Sequence, residues 1–143
     1  MSETAVALDQ RMISFTLPST PESVRIARFH VRAALGFHGL GEYADDAEII
    51  TSELVTNAIC HVADDPAETI AITVARVWRA AAVAVIVADS SPCGPVMRQT
   101  TGTSERGRGL HVVAALSADW GWRPQPGGKA IYAVIVKEVQ AND

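Results

Sequence analysis

Cysteine is scarce in this chain: Cys60 and Cys93 are the two among 143 residues. Two thiols so far apart build no disulfide framework and no metal-spaced pair. No apolar run approaches the roughly 20 residues of a membrane span, and the stretch Ala80 to Ala88 is far too short. Met1 to Gln10 lacks the basic, apolar and small-residue succession of a signal peptide. Lysine and arginine are scattered, and the net charge of -4 argues against a binder of nucleic-acid backbone, which carries a basic stripe. These absences describe a reduced, cytoplasmic protein with no direct nucleic-acid or membrane partner. What the chain has is apolar bulk. Hydrophobic residues make up 48% and charged residues 20%, enough for a substantial core in a domain of this length.

Residues 1–10 read as a flexible tail, 11–137 as a single domain and 138–143 as a second tail. Met12 to Leu17 alternates well enough for a half-buried strand. Pro18-Ser19-Thr20-Pro21-Glu22 reads as a helix start with hydroxyl caps and an acid in the first turn. Val24, Ala27, Val31, Ala34 and Leu35 follow at helical spacing, with Gly36 as the stop. A second helix is expected over about Ala44 to Val62, closed by Asp64-Asp65-Pro66. Strands follow at Ile70 to Val74 and at Ala81 to Ala88, the latter apolar on both faces as in a central strand. Residues 90–106, rich in Pro, Gly and hydroxyls, form a long loop, and long loops inside compact domains usually serve function. A helix from Gly109 to about Ser117, the Trp120-Gly121-Trp122 segment, a Pro124 to Gly128 turn and a strand from Ala130 to Val136 complete the order. That order predicts an α+β two-layer sandwich, with about three helices on one face of a mixed or antiparallel sheet.

Three pieces carry chemistry. At 100° per residue, Ala47, Ile50, Leu54 and Ala58 form the apolar stripe of the second helix; Asn57 projects about 20° from Ile50, and Glu53 about 60°. A carboxylate and an amide therefore sit in or beside a buried face. They form either a structural pair bonded to loop backbone, or a carboxylate that handles a proton beside an amide oxygen that helps hold a hard cation such as Mg²⁺. Asp89-Ser90-Ser91-Pro92 follows the most apolar strand, where the Asp either receives a ligand's hydrogen bond or caps its own turn. Gly107-Arg108-Gly109-Leu110 opens a helix whose first free N–H groups attract an anion, or else forms a plain flexible junction. Cys60, His61, Cys93 and His111 would make a metal site only if the fold gathered all four, and the Trp residues read as strand packing.

In this order and spacing the pieces resemble the ATP-binding domain of the GHKL (Bergerat) ATPases and kinases. Glu53-x-x-x-Asn57 resembles the N box, Asp89-Ser90-Ser91-Pro92 stands where the Asp-x-Gly box would be, and Gly107-Arg108-Gly109-Leu110 resembles the second glycine box. His61, Trp120-Gly121 and Gly127-Gly128-Lys129 narrow the likeness to anti-sigma-factor serine/threonine kinases of the actinobacterial, stand-alone kind. The resemblance implies ATP and Mg²⁺ as ligands and Glu53 as the catalytic base. It implies Asn57 as the metal ligand, Asp89 with Ser91 at the adenine, and Gly107, Arg108, Gly109 and Leu110 around the phosphates, under a lid of residues 92–106. It further implies transfer of the γ-phosphoryl group to a Ser or Thr of a STAS-domain anti-sigma-factor antagonist, with control of a sigma factor by partner switching, commonly as a homodimer. The alternative is a non-catalytic or nucleotide-independent module that sequesters the sigma factor or the antagonist. The chain departs from the family pattern in two places. Ser91 replaces a Gly, and Lys129-Ala130 stands where relatives often carry a Thr that supports the adenine-binding Asp.

Overall fold

The computed structural model describes residues 8–61, 68–77, 81–91 and 108–137. Five strands form one sheet in the order β1-β2-β3-β5-β4. They are β1 (Leu8–Pro18), β2 (Thr69–Val77), β3 (Ala82–Asp89), β4 (Asp119–Gln125) and β5 (Gly128–Val136), and every neighbouring pair is antiparallel. Among the described residues three α-helices, α1 (Glu22–Phe37), α2 (Ala44–His61) and α3 (Arg108–Leu116), complete the two-layer α+β sandwich expected from the sequence. Among the described residues no helix is long and apolar enough to cross a membrane.

Side-chain parity explains the layering. Ile70, Ile72 and Val74 of β2, Val83, Val85 and Val87 of β3, and Ile131, Ala133 and Ile135 of β5 alternate onto one face and join the main core. The helices cover that face with Ala27, Val31 and Leu35 from α1, Ala47, Ile50, Leu54 and Ala58 from α2, and Leu110 and Val113 from α3. The stripe of α2 is fully buried, as its spacing requires. A smaller cluster of Ala82, Ala84 and Val134, with Val77 and Tyr132, occupies the opposite parity.

Three local expectations are corrected. β1 begins at Leu8, inside the expected tail, because β2 runs on to Val77 and pairs with it; a register shift between Arg11 and Ile13 lets both Met12 and Ile13 pack on the core. The N-cap of α1 is Pro21, with no side-chain cap; the hydroxyls of Ser23 and Thr20 bond instead within the preceding turn, Ser23 Oγ donating to the Pro18 carbonyl at 2.6 Å. Gly36 does not stop α1. The helix runs to Phe37 and ends on Gly39, whose φ of 74° permits the 2.7 Å bond from Leu40 N to Leu35 O and the 3.2 Å bond from Gly39 N to Gly36 O. Leu35 and Leu40 both meet the core, which completes a Schellman stop. The Asp64-Asp65-Pro66 breaker lies outside the described residues.

Candidate functional site

α2 carries the first half of the site. Its apolar stripe is pinned to the sheet, so Glu53 and Asn57, one turn apart at the edge of that stripe, are held half-buried. Burial raises the Glu53 pKa above the ordinary glutamate value, the direction that suits a group taking a proton near neutrality. The Asn57 Oδ1 is buried and has no hydrogen-bond partner among the described residues. An orphaned acceptor costs about 1–3 kcal/mol. Ser19, Thr51 and Ser117 hold orphaned hydroxyls too; the Asn57 oxygen is the one that lies on α2 a turn beyond Glu53.

α3 approaches the same point with its first turn. A Cβ built on Gly109 would stand 2.7 Å from Glu53 Oε1, so the glycine lets the helix N-terminus close on the carboxylate. Among the expected phosphate contacts, the Leu110 side chain is in the core at 2% exposure, which leaves its backbone for any ligand. Gly107, the Arg108 side chain and the 92–106 lid lie outside the described residues.

The second half sits at the end of β3 and is arranged differently. Asp89 and Lys129 are register partners on β3 and β5, on the core-facing parity. The Lys129 Nζ donates to Asp89 Oδ1 at 3.0 Å and to Oδ2 at 2.8 Å, with the two side chains 0% and 1% exposed. The Ser91 backbone N–H donates to Oδ1 at 2.8 Å, so Asp89 also caps its own turn. Gly128 clamps the backbone: a Cβ there would stand 1.8 Å from the Asp89 carbonyl oxygen. The buried Lys129 partnership was missed in the sequence. Its signal was parity, since Lys129 shares the inward face of Ile131, Ala133 and Ile135, and an inward lysine requires a buried partner.

A groove of about 610 Å³ reaches Glu53 from the outer side of α1 and α2, lined by Arg28, Arg32, Asp45, Glu48, Ile49, Ser52 and Glu53. Arg28 pairs with Glu48 at 3.4 Å, and Arg32 bridges Asp45 and Glu48, so the helices are tied by charge along its wall. Neither Asn57 nor Asp89 lines it. Among the described residues no cluster of three or more His, Cys, Asp or Glu could hold a metal. His111 is exposed on α3; Cys93 and the side chains of Cys60 and His61 lie outside the described residues.

A family model described as the histidine kinase-like ATPase domain matches residues 17–135. The chain belongs to this family. Among solved structures, the fold matches the crystal structure of the RsbU and RsbW domains of Rv1364c from Mycobacterium tuberculosis. The TM-score is 0.63 at 22% identity, over 87% of this chain and 31% of that one. At that identity the likeness is one of fold. No curated protein matches the sequence.

Membership of an ATPase-domain family implies a bound nucleotide, and the two halves of the site fit one unequally. The unbonded Asn57 oxygen, the Glu53 carboxylate and the glycine-lined start of α3 suit a phosphate chain with a hard cation. At the other end, the Asp89 carboxylate already holds three hydrogen bonds from the protein.

Proposed function

We propose that this chain binds Mg·ATP and transfers its γ-phosphoryl group to a Ser or Thr of a STAS-domain antagonist, thereby controlling a sigma factor by partner switching. The observation that carries this reading is the meeting of Glu53 with Gly109 at the start of α3, one turn from the unbonded Asn57 oxygen. Asn57 Oδ1 would hold the cation, which when bound supplies charge neutralisation at the phosphates. Glu53 would accept the proton of the attacking hydroxyl. The hydroxyl oxygen forms its bond to the γ-phosphorus, the bond from that phosphorus to the β–γ bridging oxygen breaks, and ADP leaves with the electron pair. The raised Glu53 pKa keeps the carboxylate basic enough to take that proton. The charged groove between α1 and α2 offers the partner segment a route to Glu53.

Incubation with γ-labelled ATP, Mg²⁺ and STAS-domain proteins tests the reading. Labelled partner with the wild type, and none with Glu53→Ala, is the expected result; nucleotide binding without transfer to any such partner would overturn it. The buried Asp89–Lys129 pair favours a second reading, a module that sequesters its partner without catalysis. That reading expects partner binding of equal strength with and without nucleotide.

A further inference from the structure

The geometry points to Lys129 as the residue that sets base selectivity: it neutralises Asp89 and makes the base end of the site tolerant of both adenine and guanine. The inference rests on the nucleotide-binding reading above and concerns only which base is accepted.

An unpaired carboxylate in a dry pocket selects adenine for two reasons. It accepts from the exocyclic amino group, and it repels the carbonyl oxygen that guanine carries at the same place. Both depend on negative charge and free accepting capacity. Asp89 has little of either to spare. A carboxylate offers about four lone-pair sites, and here the Lys129 ammonium takes one on each oxygen while the Ser91 N–H takes another. The ammonium lies 2.8 Å from Oδ2, so an approaching base meets a neutral pair.

The pair is also fixed. Asp89 and Lys129 face one another across the β3–β5 ladder, Gly128 holds the Asp89 backbone, and the burial of both side chains makes separation costly. Residue 129 has the same parity as Ile131, Ala133 and Ile135, so the strand fixes the lysine's inward direction. A threonine at residue 129 would support the carboxylate without cancelling its charge. In physical terms Lys129 takes the place that the ligand's own amino group would fill.

The test is calorimetric titration of wild type and Lys129→Thr with Mg·ATP and Mg·GTP, with the cooperative unfolding of each protein checked first. The wild type is expected to bind the two nucleotides within about tenfold of each other, and Lys129→Thr to widen the preference for ATP by about tenfold or more, as a restored hydrogen-bond requirement does. A wild-type preference for ATP above about a hundredfold, comparable to a site that reads the base by hydrogen bonding, overturns the inference while nucleotide binding stands. The wild-type ratio decides this even if Lys129→Thr does not fold. Binding of neither nucleotide by either protein overturns the nucleotide reading itself, and this inference with it.

Discussion

The two ends of the candidate site are built from the same kinds of parts and finished in opposite ways. Each has a carboxylate, a neighbouring polar group and a glycine pressed against it. At the Glu53 end the glycine meets the tip of a flexible side chain, the carboxylate is half-buried, and the Asn57 oxygen is unbonded among the described residues. At the Asp89 end the glycine meets backbone, the carboxylate is buried, and its partner is an ammonium. A site left short of partners is ready for a ligand, whereas one already satisfied contributes to the fold. On the proposed reading, the chemistry falls to α2 and α3, while the β3–β5 ladder holds the other end of the site rigid.

The largest effect that would break this comparison is on transfer. Glu53→Ala is expected to lower phosphotransfer by about 10²–10⁴-fold, the range for a lost general base, while nucleotide affinity changes little; rates and titrations on the same samples check it. Equal loss of both would make the carboxylate structural. On stability the order reverses. Lys129→Ala should cost about 3–5 kcal/mol in denaturant unfolding, because it leaves a buried charge alone, whereas Asp89→Leu with Lys129→Met should recover much of that loss.

The two glycines sharpen the contrast further. Gly128→Ala forces the Asp89 backbone to move and should destabilise by more than about 2 kcal/mol, in the upper range of point substitutions. Gly109→Ala asks only the Glu53 tip to shift, so its thermal midpoint should stay near wild type while transfer falls.

The smallest effect is a pH dependence. Burial raises the folded-state pKa of Glu53, so folding favours its neutral form. That contribution is full below the unfolded pKa and is lost as pH rises through the folded pKa. Glu53→Gln should therefore melt slightly above wild type at neutral pH, and the two curves should converge in acid.

Much of this was legible in the sequence, for reasons visible in particular residues. Ala47, Ile50, Leu54 and Ala58 lie on one stripe because helical period and burial coincide, and that stripe alone placed Glu53 and Asn57 at the edge of the core. The alternation in β2 and the continuous apolar run in β3 gave the sheet. Local conformations decided by neighbours were not legible. The Gly39 stop depends on φ and on a Leu35–Leu40 contact, and the extra residues of β1 depend on how far β2 continues. The Asp89–Lys129 pair spans forty positions and needed strand register to become visible. Asp89 invited both a ligand reading and a turn-capping reading, and its bond from Ser91 N shows the second at work.

The central claim is that the Glu53 end is the open one, with Asn57 supplying the oxygen for a cation. It is tested most directly by titrating ATP into wild type and Asn57→Ala, each with Mg²⁺ and with EDTA. The account predicts wild-type binding that weakens about tenfold or more when Mg²⁺ is removed, a 1.4 kcal/mol difference, and a variant whose affinity is the same with and without the metal. Undiminished magnesium dependence in Asn57→Ala would contradict it.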